Sequence, residues 1–392
     1  MSFGPMPIAN GFLSPAEFSD EYFFELQVAF CPDCGMVQLA ETVDPGKMFH
    51  ENYAFFSSTS AGMTAHFKQL AKQLLKDHLQ APDPFMVEIG SNDGIMLQHL
   101  ANAGIRHLGI EPSRNVAQKA RDKGIHTLCE FFDERVARRI LAENGPVDVF
   151  VGANVMCHIP QLHSVFAGIK MLLKPEGVLI FEDPYLGDIV EKTSYDQIYD
   201  EHVFYFSLKS ISHIVAAHGM EVVDVIPLRV HGGSMRYVVA NRGTRPVSTA
   251  VGELWTKEAA LGLGRSKTFT LLCRNIERSR DDLMKLLHDL KRQGRRVVGY
   301  GATSKSTTVT NYCGITSDLV EFISDTTPIK QGKFSPGAHI PVRPYEDFEA
   351  DYPDYALLFA WNHATEILAK EQNFRNAGGQ WLVYVPRVEV LK

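Results

Sequence analysis

Short apolar runs alternate with stretches of helical periodicity from about residue 57 onward, and this alternation limits what the chain can fold into. The run PDPFMVEIGSNDGIMLQHLANAG predicts a strand, a glycine turn and a helix, and the runs RHLGIEPS, VDVFVGANVMCHI and VLIFEDPYL predict further strands. Strands separated by helices at this spacing pair in parallel, with helices covering both faces of the sheet. The sequence therefore predicts an α/β protein built on a doubly wound parallel sheet.

Three regions are expected in the 392 residues. Residues 1–56, rich in Phe, Pro and turn-forming residues, are expected to form a small N-terminal lobe, and residues 57–248 the first α/β domain. The run MEVVDVIPLRVHGGSMRYVVANRG in that domain predicts an antiparallel hairpin at one edge of the sheet. Residues 249–392 begin with a helical spacer and continue as a second α/β domain, where RRVVGYGATSKSTTVTNYCGI again predicts strand, glycine turn and helix.

The composition excludes several classes of protein. A hydrophobic content of 45% with 22% charged residues is typical of a soluble globular chain. The net charge of −7 leaves no basic footprint for a nucleic acid. The sequence shows neither a long apolar run nor the pattern of a signal peptide, so we expect a cytoplasmic protein without a membrane partner. Six scattered cysteines predict reduced thiols rather than a disulfide framework.

The run FCPDCGMVQL contains half of a zinc-knuckle pattern. Cys31 and Cys34 are spaced so that two thiolates can share one tetrahedral metal, with a glycine allowing the tight turn. A structural zinc site needs four ligands, and no second cysteine pair stands nearby, which leaves remote cysteines or histidines such as His50. Two ordinary thiols in a turn are the alternative, so zinc is a candidate cofactor with an incomplete ligand set.

The turn EIGSNDG at residues 88–94 is the first candidate ligand site. Its backbone N–H groups lie at the positive end of the following helix, and its two glycines allow a ligand to approach closely. The G-x-G-x-x-G spacing of a dinucleotide turn is missing, and the acidic character favours a cationic ligand such as S-adenosylmethionine. A glutamate in GIEPS, about twenty residues farther on, is placed to take both hydroxyls of a ribose. The candidate cofactor residues are Glu88, Gly90, Ser91, Asn92, Gly94, Glu111 and Pro112. A structural glycine turn beside a solvated glutamate is the alternative.

A second glycine turn, GYGATSKSTT, opens the C-terminal α/β domain. It lacks the spacing of a Walker A loop, but Gly301 and Ser304 at the start of a helix, with Lys305, are suited to cradle a diphosphate. Lys330 and Lys333 would add counter-charges. The alternatives are a structural turn with solvated lysines, or a nicotinamide site.

The segment QIYDEHVFYFS at residues 197–207 combines a tyrosine, two carboxylates and a histidine with further aromatic residues. These residue types suit proton transfer, but a polar loop with one histidine beside a buried aromatic strand is the simpler interpretation.

The motifs EIGSNDG, GIEPS, GANVMCHIP and FEDPYL resemble those of the class I S-adenosylmethionine-dependent methyltransferases, and more narrowly the sugar C-methyltransferases that act on nucleotide-linked keto-hexoses. The motifs CPDCG, ENYAFFSSTS, YDEHVFYFS, HGGSMRY, GYGATSKSTT and FAWNHATEI match in order as well, so the resemblance runs through almost the whole chain. The N-terminal zinc module of that family carries two Cys-x-x-Cys pairs, and this sequence begins after the place of the first.

Methylation of a sugar carbon requires a carbanion-like nucleophile, because a C–H bond is not itself nucleophilic. A neighbouring ketone allows a base to remove the α-proton and form an enolate, which needs a base, a group that orients it and a donor facing the enolate oxygen. His202 is expected to be the base, Glu201 to orient it, and Tyr199 to donate to the oxyanion.

The resemblance implies further roles for individual residues. His158 and Tyr53 would complete the catalytic pocket, and Asn154 would touch either the cofactor or the sugar. His231 and Arg236 would contact the substrate, and the C-terminal half would hold its diphosphate.

The expected function is methyl transfer from S-adenosylmethionine to a carbon, C3, of a thymidine diphosphate-linked 4-keto-deoxy sugar. A nicotinamide-dependent nucleotide-sugar oxidoreductase or epimerase, and a non-catalytic protein that keeps the cofactor pocket, are the alternatives.

Overall fold

The computed structural model describes residues 1–48, residue 58 and residues 61–391, with backbone alone at residues 47 and 61. The strands are β1 (Ser2–Pro7), β2 (Phe23–Phe30), β3 (Val37–Leu39), β4 (Phe85–Ile89), β5 (Arg106–Ile110), β6 (Thr127–Leu128), β7 (Val147–Ala153), β8 (Leu173–Pro184), β9 (Phe204–Tyr205), β10 (Met220–Leu228), β11 (Ser234–Asn241), β12 (Val297–Tyr300), β13 (Ile323–Ser324), β14 (Val342–Arg343), β15 (Tyr355–Leu358), β16 (Gln380–Val383) and β17 (Glu389–Leu391).

The helices complete the description of the secondary structure. They are α1 (Pro45–Met48), α2 (Ala61–Asp77), α3 (Leu97–Asn102), α4 (Arg114–Asp122), α5 (Glu134–Asn144), α6 (Leu162–Leu172), α7 (Leu186–Lys192), α8 (Leu208–Ala217), α9 (Thr249–Leu261), α10 (Ser266–Arg292), α11 (Ser304–Cys313), α12 (Tyr345–Ala350), α13 (Ala364–Lys370) and α14 (Gln372–Asn376). In the part of the chain that the structure describes, no helix combines the length and apolar character needed to cross a membrane.

The central sheet has seven strands in the order β10-β11-β8-β7-β4-β5-β6. Strands β4 to β8 pair in parallel with α3 to α6 between them, which confirms the predicted doubly wound α/β sheet. The order runs outward in both directions from β4 and β7, so the carboxyl ends of these two neighbours form the place where ligands bind in such sheets. The hairpin β10–β11 adds antiparallel to β8 at the edge, as predicted.

Two further sheets flank the central one. The C-terminal sheet has the order β14-β13-β12-β15-β16-β17 and is parallel except at β17. The N-terminal sheet has the order β1-β2-β3-β9 and is antiparallel throughout. Since β9 lies at residues 204–205, this sheet joins the N-terminal lobe to a distant segment of the chain, and the expected domain boundaries at residues 56 and 248 stay predictions.

The segment that precedes β9 lies in an apolar core shared by all three parts of the molecule. Tyr195, Ile198 and Tyr205 are buried in one cluster with Leu26 of the N-terminal sheet and Tyr384 near the C-terminal sheet. Burial of this kind removes apolar surface of three regions from water at once. The polar residues between Tyr195 and Tyr205 are therefore held at a fixed junction.

A buried carboxylate fixes the helix that follows this junction. Glu258 of α9 is 4% exposed and accepts hydrogen bonds from the backbone N–H of Leu208 (2.6 Å) and of Lys209 (3.3 Å), in the first turn of α8. The Tyr185 hydroxyl donates to the same carboxylate at 3.1 Å. The negative charge satisfies N–H groups that have no partner within the helix and lies at the positive end of the helix dipole.

Replacement of this carboxylate should destabilise the fold. Glu258→Ala leaves the first-turn N–H groups and the Tyr185 hydroxyl unpaired in the interior, which we expect to lower the free energy of unfolding by about 2–4 kcal/mol. Urea denaturation followed by circular dichroism measures the change. Glu253→Ala is the matched control, because Glu253 is exposed on the same helix and should change the stability little. Equal effects of the two substitutions would contradict the capping role.

Candidate active site

The first glycine turn requires left-handed backbone at three positions. Gly90, Asn92 and Gly94 have φ values of +61°, +48° and +76°, directly after β4. A Cβ atom added at Gly90 would lie 2.7 Å from a methyl carbon of Val155, so any side chain there would collide with the loop that follows β7. The turn is thereby held against Val155.

The carboxylates around this turn are buried. Glu111, at the end of β5, accepts hydrogen bonds from the backbone N–H of Ser113 (2.9 Å) and of Asn92 (3.1 Å), which ties it to the glycine turn. Burial raises the pKa of Glu111, and burial together with Glu111 and Glu182 raises the pKa of Glu88 well above its ordinary value. The Cys129 thiol donates to the carbonyl oxygen of Pro112, which follows Glu111 in the chain.

This pocket fits S-adenosylmethionine by the chemistry of its donor set. Glu88 Oε2 and Ser91 Oγ are buried and have no hydrogen-bond partner among the described residues. Buried polar atoms of this kind are normally satisfied, which points to a ligand with complementary groups. Each oxygen of Glu111 has already accepted one backbone N–H and retains a lone pair for a ribose hydroxyl. A cationic ligand would also relieve the repulsion between Glu88 and Glu111.

The predicted catalytic segment forms a compact turn rather than a strand. The His202 ring accepts or donates at both nitrogens: Nδ1 lies 2.8 Å from the carbonyl oxygen of Gln197, and Nε2 lies 2.8 Å from the Tyr199 hydroxyl. A carbonyl oxygen can only accept, so Nδ1 carries the proton, and Nε2 accepts from the phenol when the ring is neutral. Both residues are buried, with exposures of 5% and 8%.

The Gln197 carbonyl makes the contact with His202 Nδ1 that the sequence analysis expected of Glu201. It fixes the tautomer of His202 through Nδ1, while a Glu201 oxygen accepts a hydrogen bond from the side chain of Asn10 at 2.7 Å. The orienting group at Nδ1 is therefore a backbone oxygen. Glu201 lies in the same pocket, and its catalytic role stays a prediction.

The turn is anchored from both flanking regions. Asp200 accepts a hydrogen bond from the backbone N–H of Ala9 at 3.0 Å, and Thr307 of α11 donates to the Ala9 carbonyl at 2.8 Å. Thr308 of the same helix donates to the carbonyl of Ile198 at 2.8 Å. Burial, with a contribution from Glu201, raises the pKa of Asp200 to about 8. The N-terminal loop and the C-terminal helix thus clamp the segment together.

His158 connects the catalytic turn with the cofactor turn. It ends the 3₁₀ turn Met156–His158, which follows Asn154 after β7, and its ring stacks on His202 with centroids 5.2 Å apart. Asn154 is left-handed, with φ +52°, and its N–H donates to the Glu182 carbonyl. Val155 packs on Gly90 of the first glycine turn, and His158 follows Val155 by three residues. The loop after β7 therefore connects the glycine turn with the two histidines.

The electrostatics of the histidine pair differ from the near-neutral base that the sequence predicts. Burial lowers the pKa of His158 to about 4. Burial lowers the pKa of His202 well below its ordinary value, with further contributions from His158, Lys305 and His231. Both rings are therefore neutral at physiological pH in the free protein, as a base must be, and the charge of Lys305 further weakens the basicity of His202.

In the second glycine turn, side chains of the protein already bind backbone groups that the sequence analysis assigned to a diphosphate. Gly301 is left-handed, with φ +89°, and the N–H of the next residue, Ala302, donates to the Asp325 carboxylate at 2.7 Å. Lys330 donates to the Ala302 carbonyl at 2.7 Å, and Lys333 lies beside Glu17 of the N-terminal lobe. The predicted diphosphate cradle is thus narrowed to the first residues of α11, where Ser304 and Lys305 follow the turn.

Lys305 lies near both Asp196 and His202 and affects the pKa of each carboxyl or imidazole group. Asp196, in the 3₁₀ turn Tyr195–Gln197, is fully buried, lies near Lys305, and accepts hydrogen bonds from Trp361 Nε1 (2.5 Å) and the Tyr384 hydroxyl (2.8 Å). Burial, Lys305 and His363 lower the pKa of His231 to about 3. His231 has φ +53° and is followed by a glycine that packs on the Trp361 ring. Lys305 and His231 therefore lie near each other, and their contact with a substrate stays a prediction.

Arg236 is engaged inside the protein. Its Nε and Nη2 atoms lie 2.6 and 2.5 Å from a Glu182 oxygen, and Nη1 donates to Gln73 at 2.8 Å. His66 of α2 contacts the other Glu182 oxygen at 2.6 Å. Arg236 and His66 lower the pKa of Glu182 against the opposing effect of burial. The predicted contact of Arg236 with substrate stays a prediction, and its observed partners position Glu182.

The cysteine turn does not complete a zinc site within the described residues. Cys31 and Cys34 lie in a tight turn in which the N–H of Gly35 donates to the Cys31 carbonyl at 2.9 Å. Hydrogen bonds from Cys34 and Asp33 lower the pKa of the Cys31 thiol, as suits a metal ligand. Across the described ranges, however, no third Cys, His or carboxylate joins them in a group that could hold a metal. Two thiolates alone do not fit a structural zinc. The predicted Tyr53 and the zinc candidate His50 lie outside the described residues.

Several residues of the site escaped the sequence analysis. Asn10, Gln197 and Thr308 act through long-range or backbone contacts. Nothing in the local pattern around them indicates such a role. Asp196 stood next to the predicted segment and carried a signal, because a carboxylate among apolar residues that becomes buried needs partners.

Comparisons with known proteins find matches along most of the chain. Three family models match: "Putative zinc binding domain" over residues 1–49, "Methyltransferase domain" over residues 63–225 and "C-methyltransferase C-terminal domain" over residues 229–386. The solved structure of the CcbJ methyltransferase from Streptomyces caelestis is 14% identical and covers 50% of this chain and 98% of its own, with a TM-score of 0.39.

Relatives among characterised sequences are similar over different lengths. A ubiquinone biosynthesis O-methyltransferase of Burkholderia thailandensis is 22% identical over 181 residues, which is 42% of this chain and 76% of its own. C-methyltransferase NovU of Streptomyces niveus is 33% identical over 393 residues, which is 100% of this chain and 93% of its own. A similarity of this degree over the whole chain shows the family: the chain belongs to the S-adenosylmethionine-dependent C-methyltransferases.

Proposed function

We propose that the protein methylates C3 of the sugar in a thymidine diphosphate-linked 4-keto-deoxy hexose through an enolate. The observation that carries this proposal is the hydrogen bond of 2.8 Å between the Tyr199 hydroxyl and His202 Nε2. It supports the proposal because a neutral imidazole and a phenol contact each other in the interior, and the imidazole stacks on His158 in the loop after β7. A ketone and its α-carbon need this pair of groups at neighbouring atoms.

Proton removal would proceed at His202 Nε2. The C–H electron pair becomes the carbon–carbon double bond, the ketone oxygen becomes the enolate, and the proton moves to Nε2. The Tyr199 phenol must leave Nε2 for this step, and the enolate oxygen is the acceptor that it gains. The Gln197 carbonyl continues to hold Nδ1–H, so the ring does not rotate during the transfer. S-adenosylmethionine, when bound, would supply the methyl group to this carbon and would leave as S-adenosylhomocysteine, whose sulfur keeps the electron pair of the broken bond.

The anionic substrate would also restore the basicity of His202. Lys305 is one of the groups that lower the pKa of His202 in the free protein. A diphosphate bound at Lys305 and at the start of α11 would neutralise that charge, and the enolate would stabilise the imidazolium that forms. Binding of the nucleotide and activation of the base would therefore be linked.

Loss of the base should abolish proton removal but leave the cofactor site intact. In deuterated buffer, with S-adenosylhomocysteine in place of the methyl donor, the protein should exchange the C3 proton of a thymidine diphosphate-linked 4-keto sugar. We expect His202→Ala to lower exchange and methyl transfer by at least about 100-fold, the usual contribution of a positioned base. Nuclear magnetic resonance and mass spectrometry measure the two rates.

Controls separate this role from a structural one. His213→Ala changes an exposed histidine of α8 and should leave both rates unchanged. S-adenosylhomocysteine binding by calorimetry should be the same in both variants. Absence of methyl gain across a broad panel of nucleotide keto-sugars would refute the substrate class. Nicotinamide binding without S-adenosylhomocysteine binding would favour the oxidoreductase or epimerase, and binding without exchange would favour a non-catalytic protein.

The pH profile of kcat/KM should not show the decrease at about pH 6.5 that protonation of an ordinary histidine causes. Because the pKa of His202 is well below its usual value in the free protein, the base stays neutral as the pH falls from 8 to about 6. We expect kcat/KM for the sugar nucleotide to change little over that range and to fall only at lower pH. A decline with a midpoint near the ordinary histidine value of about 6.5 would contradict the buried base.

Removal of the Lys305 charge should weaken substrate binding. Lys305→Ala should raise KM for the sugar nucleotide by about 10–100-fold, as expected for loss of one charge-assisted contact. The KM for S-adenosylmethionine should stay the same. Lys285→Ala, an exposed lysine of α10, is the matched control. An unchanged sugar-nucleotide KM in Lys305→Ala would place the diphosphate elsewhere.

A further inference from the structure

One group of metal-ligating side chains lies at the catalytic turn. The Cys157 sulfur and one ring nitrogen each of His158 and His202 lie within 4.8 Å of one another. Cys157 is 1% exposed and His202 is 5% exposed, while His158 is half-buried, so the group is accessible to a small ion but largely shielded from water. Among the described residues this is the one cluster of three such ligands, and the proposed methyl transfer makes no use of Cys157.

The geometry of His202 suits metal coordination. A metal-bound imidazole usually donates its second N–H to a backbone carbonyl or carboxylate, which fixes the ring. In His202 the Nδ1–H does this toward the Gln197 carbonyl at 2.8 Å, and the lone pair of Nε2 faces the pocket. In the structure, the Tyr199 hydroxyl donates a hydrogen bond to that lone pair.

A buried carboxyl group beside Cys157 is the second, independent observation. Asp183 is fully buried, and its Oδ1 accepts the Cys157 N–H at 3.4 Å. Its Oδ2 has no hydrogen-bond partner among the described residues. A cation bound at the Cys157 sulfur would give this buried oxygen a partner, against the opposing charge of Lys305 near His202.

We propose that Zn²⁺, or another soft divalent ion, binds to the Cys157 sulfur, a His158 nitrogen and His202 Nε2, and inhibits the enzyme. One thiolate and two imidazoles are a ligand set that zinc prefers, with a fourth position open to water or to Asp183. The thiol proton is released to solvent on binding, and the Tyr199 phenol loses its acceptor at Nε2. The binding site stands on the ligand geometry, whereas inhibition rests on the proposed role of His202 as the base.

Cobalt absorption tests the site without reference to activity. Co²⁺ bound by a thiolate gives a charge-transfer band in the near ultraviolet. Titration of a full-length Cys31→Ser/Cys34→Ser variant should still produce this band. Addition of Cys157→Ser to that variant should remove it. S-adenosylhomocysteine binding shows that each variant is folded. A band that persists in Cys157→Ser and disappears in Cys31→Ser/Cys34→Ser would overturn the proposal, as would the absence of any band.

Inhibition tests the consequence. Zn²⁺ should inhibit methyl transfer by the full chain, and a chelator should restore it. Cys157→Ala should raise the inhibitory zinc concentration at least about tenfold, since even outer-shell partners of a metal change affinity by that factor. Cys313→Ala, another buried cysteine, should not. Equal zinc sensitivity in both variants would overturn the inhibitory site. If no sugar nucleotide is methylated, the cobalt titration still decides the metal site, so the two proposals fail separately.

Discussion

Burial of the turn between Tyr195 and Tyr205 is the constraint on which the rest of the structure depends. The turn is not stabilised by its own hydrogen bonds alone. It is held from the N-terminal loop at Asp200, from α11 at Ile198, and by pairing of β9 with β3. Because three separate regions supply these contacts, the position of the His202 ring is an outcome of the whole fold. A rigid scaffold is what a positioned base requires.

The fold was largely predictable from the sequence because its signals are local. The glycine turn after β4 and the hairpin β10–β11 arise from short-range patterns that any segment carries by itself. The sequence singles out Tyr199 and His202, which contact each other in the structure. It does not predict the other contacts that these residues and their neighbours make. The group that orients His202 is a backbone oxygen at Gln197, and the partner of Glu201 is Asn10, 191 residues away. No local pattern encodes either contact.

Electrostatics explain the other difference between sequence and structure. A lysine after a glycine turn predicts an anion site, but in the second turn Asp325 already occupies the Ala302 N–H. A histidine predicts a near-neutral pKa, but burial beside His158 and Lys305 lowers the pKa of His202 well below it. Both effects depend on which groups tertiary structure brings together. Lys305 therefore gives a positive charge to the side of the site next to α11, and an anionic ligand group is the natural complement of that charge.

The pairing of β9 with β3 also affects how such an enzyme can change over evolution or by engineering. β9 follows His202 almost immediately in the chain, yet its hydrogen-bonding neighbour belongs to the N-terminal lobe. An exchange of the lobe between relatives would bring a new β3 against the old β9. The lobe and the turn that contains His202 would therefore have to be exchanged together, although the chain separates them by more than a hundred and fifty residues.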